Sequence, residues 1–186
     1  MIIVFGTPGA GKTTILSKAT EAFDCKEINY GDFMFEIAQK KGFVSNRDDM
    51  RKMPIPRQKE IQADVAKNLS ELEGKLILNT HALISTPVGY IPGLSRSILS
   101  GINIEQLILV VSPPADIVKR RQEDTSRTRD PETEEQISEV LEINKSYLFA
   151  YSVLSGAPAA IVVNANGKLE EAVESTRKIL EERWHD

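Results

Sequence analysis

The chain has 186 residues, 41% of them hydrophobic, and a formal net charge of -4 at pH 7. That length suits one domain with a real buried core, and the acidic balance speaks against general nucleic-acid affinity while leaving room for a local basic site. A single cysteine, Cys25, rules out an internal disulfide and reads as a buried or half-buried structural thiol in a reducing cytoplasm. No apolar run approaches the roughly 20 residues of a membrane span. Met1–Phe5 is too short for the apolar region of a signal peptide.

In chain order, Ile2–Phe5 is an apolar run of strand character. Gly6-Thr7-Pro8-Gly9-Ala10-Gly11-Lys12-Thr13 follows with the spacing G-x-x-x-x-G-K-T. The next stretch, Thr13–Phe23, places Ile15, Leu16, Ala19 and Phe23 on one helical face. Strand, glycine-rich loop and helix in that order form a phosphate-binding P-loop. Its glycines let the backbone wrap a phosphate chain, and successive N–H groups and the positive helix end face the anion. Lys12 is expected to reach the β- and γ-phosphates and Thr13 to ligate Mg²⁺. The chain is therefore expected to bind a nucleoside triphosphate.

Lys26–Asn29 is a weaker strand. Gly42–Arg57 fits no core pattern and reads as a polar excursion carrying Arg47, Arg51, Lys52 and Arg57, with Lys59 just beyond. It offers a seat for a second anionic substrate, with Arg51 and Arg57 weighted above the others. Ordinary surface charge beside Asp48, Asp49 and Glu60 is the competing reading. Ile61, Val65, Leu69 and Leu72 repeat at near-helical spacing, and Leu76–Leu78 is a strand. Asn79-Thr80-His81 ends it, where a carboxylate normally holds Mg²⁺ through water. Asn79 carries no charge, and His81 reads as a hydrogen-bonded structural histidine, since a phosphate nucleophile needs no base. Thr86–Gly93 reads as a Gly/Pro-shaped loop wall, or as a tight connector with Tyr90 packed on the core.

Leu107–Val111 is the next strand. Arg120, Arg121, Arg127 and Arg129 then cluster in an otherwise acidic protein, the last two in a second polar excursion, Glu123–Asp130. Guanidinium forks bind phosphate oxygens bidentately, and a movable arginine segment both positions a phosphoryl group and excludes water. A solvated face paired with Glu123, Asp124 and Asp130 is the alternative. Asp130 as cap and Pro131 in the first turn would start a helix bearing Ile137, Val140, Leu141, Asn144, Leu148 and Tyr151, ended by Gly156 and Pro158. Ala160–Val163 is the last strand, and Leu169, Val173, Thr176 and Leu180 mark the last helix. Strands alternating with helices predict an α/β fold, a parallel sheet covered on both faces with ligands beyond the carboxyl ends of its strands.

Gly6–Thr14, Ile28-Asn29-Tyr30-Gly31-Asp32-Phe33-Met34, Asp49–Lys52, Thr80-His81-Ala82, Thr86-Pro87 with Gly89-Tyr90 and Pro92-Gly93-Leu94, and Asp124–Asp130 together resemble the archaeal-type adenylate kinases. The resemblance runs over essentially the whole chain. Many families share the P-loop; the Tyr30–Met34 segment and the run from Thr86 to Leu94 are far more specific. The resemblance implies reversible phosphoryl transfer from ATP with Mg²⁺ to AMP, giving two ADP. It implies a three-layer P-loop fold with a five-stranded parallel sheet in a single domain, a monophosphate-binding segment at about residues 30–59 and a short lid at about 121–131. Carried over by position, Gly6, Thr7, Pro8, Gly9, Ala10, Gly11, Lys12, Thr13 and Thr14 hold ATP. Tyr30, Gly31, Asp32, Arg51, Arg57, Gly89 and Tyr90 fall on the monophosphate side. Arg120, Arg127 and Arg129 join Lys12 as catalytic cations, and Asn164 and Ala165 approach the ATP adenine. The family usually has Asp where this chain has Asn79, so the metal's water shell falls to Asn79 or Asp32. The implied partners are ATP, AMP and ADP, with no nucleic acid or membrane, and either a monomer or a homotrimer. A kinase for another nucleoside monophosphate is a close variant. A P-loop ATPase switch acting on a macromolecular partner is the alternative of another class, favoured by Asn79 and opposed by both arginine sets.

Overall fold

The alternating apolar and helical patterns resolve into one parallel sheet with helices on both faces. The computed structural model describes residues 1–86, 88–124 and 132–185, apart from the side chains of residues 48, 51, 52 and 55. Its elements are β1 (Ile2–Gly6), α1 (Lys12–Ala19), β2 (Lys26–Asn29), α2 (Tyr30–Lys40), α3 (Arg47–Lys52), α4 (Ile55–Ser70), β3 (Leu76–Thr80), β4 (Leu83–Thr86), β5 (Gly89–Pro92), α5 (Arg96–Gly101), β6 (Gln106–Val111), α6 (Pro114–Glu123), α7 (Glu134–Ser155), β7 (Ala159–Val163) and α8 (Leu169–Trp184). The main sheet has the order β2-β3-β1-β6-β7, and all its pairings are parallel. No helix among the described residues is long and apolar enough to cross a membrane.

The central strand decides the layering. Every residue of β1 is buried, and its side chains alternate between the two faces. Ile3 and Phe5 join Leu78, Leu107 and Leu109 in a core closed by α2, α4 and α7. Ile2 and Val4 join Ile77, Ile108 and Val110 in a second core closed by α1 and α8. Register places Phe5 beside Thr80 and Gly6 beside Val110, so the carboxyl ends of β1, β3 and β6 lie together under the loop that follows Gly6. Phe5 also stacks on Tyr151 of α7 with ring centroids 5.5 Å apart. The Tyr151 hydroxyl donates to the Ala82 carbonyl at 2.6 Å and accepts from Leu94 N–H at 3.3 Å. One helix thereby ties the central strand to the chain on either side of β4 and β5.

The strands expected from sequence are all present, but three segments differ. Thr86 and Gly89–Pro92 are not an irregular loop: they belong to an antiparallel hairpin in which Ile84 faces Ile91 and Ser85 faces Tyr90. The close return is possible because Gly93 has no Cβ, which would collide with the His81 carbonyl. Tyr30–Lys40 is helical, capped by the Asn29 side chain, which accepts from Asp32 N–H. The Phe33, Met34, Ile37 and Ala38 spacing that drives it falls inside the supposed monophosphate segment. Helix α7 starts at Glu134, capped by Thr133 rather than Asp130. Thr133 and Gln136 form a reciprocal capping box, which satisfies two backbone donors where a lone aspartate would satisfy one. The expected lid reading of residues 125–131, with Arg127 and Arg129, lies outside the described residues.

Phe5→Ala removes a fully buried ring and its stacking partner's contact. Unfolding in urea should show a loss of about 3–5 kcal/mol; a loss under about 1 kcal/mol would mean that β1 is not the centre of the core.

Candidate active site

The site grows from the end of β1. Gly9 and Gly11 have φ values of 92° and 84°, which L side chains rarely adopt. Space is closed as well: a Cβ on Gly9 would lie 3.2 Å from Ile117 Cγ2, and one on Gly11 would collide with the Asn164 amide nitrogen. Three consecutive carbonyls of this loop accept side-chain donors. Pro8 C=O takes Arg121 Nε at 3.0 Å, Gly9 C=O takes Arg120 Nη1 at 3.3 Å, and Ala10 C=O takes Asn164 Nδ2 at 2.8 Å. In a planar trans peptide the carbonyl and the next N–H point in opposite directions. Tying these oxygens toward α6 and β7 therefore turns the Gly9 and Gly11 amides to the other side, where α1 also begins. The result is a concave set of donors suited to phosphate.

Lys12 opens α1, and its stem lies over Gly6, whose added Cβ would be 3.2 Å from Lys12 Cβ. Its ammonium donates to the Asn79 side-chain carbonyl and, at 2.8 Å, to the Thr80 backbone carbonyl. Burial pushes Lys12 down to about 8, partly opposed by the Glu27 carboxylate. Asn79 in turn donates from Nδ2 to Glu27 Oε1 at 2.6 Å. Both ends of the Asn79 amide are thus engaged by charged side chains, so the water-mediated metal role expected for it is not what the geometry presents. Thr13 sits exposed in the first turn of α1. No group of three or more His, Cys, Asp or Glu side chains able to hold a metal occurs among the described residues. A Mg²⁺ at this loop would have to bring most of its oxygen ligands as phosphates and water, and the exposed Thr13 hydroxyl is the protein group that could join them.

Two cavities flank the loop. The smaller, about 290 Å³, is lined by Gly11, Thr14, Arg120, Leu169 and the Asn164–Gly167 loop. The larger, about 480 Å³, is lined by Thr7, Pro8, His81, Leu83, Tyr90, Arg121 and Gln136, among others. His81 Nδ1 bonds the Gly6 carbonyl at 2.9 Å, the structural role expected of it.

Several expected residues take other roles. Arg120 directs its guanidinium inward, to Gly9 C=O, to Ser112 Oγ at 2.8 Å, to Asn164 C=O at 3.0 Å and to Asn166 Oδ1 at 2.8 and 3.1 Å. It clamps the loops rather than reaching for a phosphate, because the nearest acceptors are orphan carbonyls of its own scaffold. Tyr30 is 5% exposed, its hydroxyl has no hydrogen-bond partner among the described residues, and burial drives its pKa far up; its ring belongs to the core. Asp32 is ion-paired with Arg47, and the Arg57 guanidinium stands 4.9 Å from the Phe43 ring centre. Asp32, Arg57, Gly31 and Gly89 line neither cavity. The Arg51 side chain, with Arg127 and Arg129, lies outside the described residues.

Other contributions escaped the sequence reading. Asn144 Nδ2 donates to Thr7 Oγ1 at 3.3 Å in a buried position; one amide in the apolar stripe of α7 was the signal. Asp116 takes Asn166 N–H at 2.7 Å and Asn166 Nδ2 at 2.9 Å, shaping the loop of the smaller cavity. Arg121 stands in the arginine cluster with nothing local to single it out, and Ser112 and Glu27 have no distinguishing pattern around them.

A five-stranded parallel sheet with a glycine loop, a lysine and a helix start beyond its carboxyl edge defines a P-loop phosphotransferase. A family model described as an AAA domain matches residues 5–138. The chain is 40% identical to an adenylate kinase of Methanothermobacter thermautotrophicus over 97% of this chain and 99% of that protein. It is 40% identical to one of Pyrococcus abyssi, covering 97% and 95%, and 39% identical to one of Thermoplasma acidophilum, covering 96% and 97%. Among solved structures, shikimate kinase from Acinetobacter baumannii in complex with shikimate shares the fold, with a TM-score of 0.57, 18% identity and coverage of 98% and 94%. The chain belongs to the adenylate kinase family.

Gly11→Ala should abolish ATP binding by calorimetry, since both φ and the Asn164 contact oppose any side chain there; affinity within about tenfold of wild type would show that the loop is not the phosphate seat. A second expectation concerns pH. A bound phosphate raises the Lys12 pKa above its free value of about 8. Below that pH the ammonium is already charged and affinity is level; above it, binding must take up a proton, and ATP affinity should fall by up to about tenfold per pH unit. Titrations in buffers of different ionisation enthalpy between about pH 7.5 and 9.5 would detect that proton; a flat affinity and no uptake would remove Lys12 from the phosphate contacts.

Proposed function

We propose that the chain transfers a phosphoryl group reversibly from MgATP to AMP, giving two ADP. The observation that carries this reading is a pair of cavities that share one P-loop, one lined by its Thr7 and Pro8, the other by its Gly11 and by Thr14 of α1. A hydrolase needs room for water; a second cavity of about 480 Å³ has room for a second nucleotide's reacting end. In this reading the Asn164–Gly167 side receives the ATP base, with Asn164 and Ala165 at its wall. The converging amides and Lys12 hold the β- and γ-phosphates, and Thr13 holds the Mg²⁺ that ATP brings. The AMP phosphate enters from the Tyr90 side.

Catalysis here is positioning and charge stabilisation, because the phosphate nucleophile needs no proton removed. Lys12 supplies a fixed positive charge where negative charge spreads in the transition state. Arg127 and Arg129, which lie outside the described residues, are the further guanidinium groups that this reading assigns to the phosphates. Arg51 and Arg57, from the segment at about 30–59, supply the guanidinium groups for the monophosphate.

Purified protein should form ADP from ATP only when AMP is added, with CMP and UMP as poorer acceptors. Lys12→Ala should keep the wild-type melting temperature and lose at least about a hundredfold in kcat. ADP formation that is indifferent to AMP would favour an ATPase switch, and a Lys12→Ala variant with near-normal turnover would overturn the site itself.

A further inference from the structure

The ammonium of Lys12 is seated on two uncharged oxygens, the Asn79 side-chain carbonyl and the Thr80 backbone carbonyl. The Glu27 carboxylate stands one hydrogen bond further out, accepting from Asn79 Nδ2 at 2.6 Å. The topology brings these three together. Asn29 is the partner of Asn79 in the β2–β3 register and Ile77 is the partner of Glu27, so Glu27 and Asn79 share a face of the sheet. It is the face of Ile77, Ile2 and Val4, on which α1 packs with Lys12 at its start.

The chemistry of the chain of bonds is one-directional. An amide can present either its oxygen or its nitrogen to a neighbour, whereas an ammonium only donates and a carboxylate only accepts. With the oxygen toward Lys12 and the nitrogen toward Glu27, both contacts are satisfied. Rotated by half a turn, the amide would set donor against donor and acceptor against acceptor. Lys12 alone gives this orientation half its reason; Glu27 gives the other half. An ammonium has three donors, and the seat uses two, so a phosphate oxygen can be met without the side chain leaving its place.

We propose that Glu27 is a positioning residue for phosphoryl transfer: it fixes the Asn79 amide with its oxygen toward Lys12 and so preorganises the cation at the mouth of the P-loop. The inference rests on the proposed reaction and deepens it. Glu27 does not touch substrate; it acts through Asn79. A consequence is that residues 27 and 79 form a matched pair. A carboxylate at 79 would meet the Glu27 carboxylate where an amide now donates, so Asn79→Asp should not behave as a simple gain of charge.

The test compares wild type, Glu27→Gln, Glu27→Leu, Asn79→Asp and the double variant Asn79→Asp with Glu27→Leu, with melting temperatures alongside. Glu27→Leu should lower kcat/KM for ATP on the order of tenfold, the effect of one lost orienting hydrogen bond, and leave KM for AMP within about twofold. Glu27→Gln, which keeps an acceptor oxygen, should stay within about threefold of wild type. In the Asn79→Asp background the sign should reverse, with the double variant exceeding Asn79→Asp alone. The proposal is overturned if Glu27→Leu matches wild type, if Glu27→Gln is as impaired as Glu27→Leu, or if Glu27→Leu is equally harmful in both backgrounds. Should Glu27→Leu melt early, the double variant is made with Gln, and Glu27→Gln together with its effect in the Asn79→Asp background decides. ATP affinity by calorimetry is read for the same five proteins and must show the same pattern. If wild type makes no ADP with AMP, the proposed reaction fails, while those affinities still judge the role of Glu27.

Discussion

Three side chains that hold three consecutive carbonyls make the rest of the site possible. A glycine-rich loop has many conformations in isolation, and its entropy cost on ordering is the largest of any composition. Arg121, Arg120 and Asn164 select one of them by giving the Pro8, Gly9 and Ala10 oxygens their partners. The buried Ala10 carbonyl, left without a partner, would cost about 1–3 kcal/mol. The same bonds that remove that penalty decide where the amides point. Arg120 links this selection to the neighbouring loop, because the guanidinium that holds Gly9 also holds Asn164 and Asn166. The phosphate seat and the wall of the smaller cavity are therefore one hydrogen-bonded unit.

Charge is used sparingly within that unit. The protein as a whole is acidic, with a formal net charge of -4. Of its cations near the loop, Arg120 is committed to scaffold oxygens, and Arg121 is shared between Pro8 and the Glu132 carboxylate. Lys12 is left as the cation directed at the phosphate region among the described residues. Its seat of neutral oxygens matters for that reason: a directly paired carboxylate would satisfy the ammonium before any nucleotide arrived, whereas an amide holds it in place at lower cost to the incoming phosphate.

The segment proposed to receive the monophosphate is held by its own contacts, Asp32 with Arg47 and Arg57 against Phe43. These are exposed pairs, of the kind worth little in water. Exchanging them for a phosphate is therefore inexpensive. The core beneath is of a different order. Phe5 and Tyr151 are buried and stacked, so the frame stays fixed while surface pairs exchange.

What the sequence determined by itself was whatever is encoded locally. The spacing of Gly6, Gly11, Lys12 and Thr13 after an apolar run specified loop, helix and ligand class, since phosphate binding by backbone amides needs only neighbours in the chain. The apolar runs of β1, β3 and β6 specified a parallel sheet, because strands buried on both faces carry no polar alternation to misread. The Gly156 end of α7, with φ of 75°, was equally legible. Tertiary structure decided whatever depends on residues far apart meeting. Arg120 could be read as a phosphate ligand until Gly9, Ser112 and Asn166, from three other parts of the chain, were seen to take its donors. Tyr30 could be read as a binding residue until α2 turned its ring into the core. The hairpin of Leu83–Thr86 and Gly89–Pro92 was hidden because strands of four residues repeat the two-residue alternation too few times to stand out. Asn79 is the sharpest case. In sequence it is a missing charge; in the fold the charge stands on Glu27, 52 positions away and one hydrogen bond distant, because only the pairing of β2 with β3 brings the two onto one face.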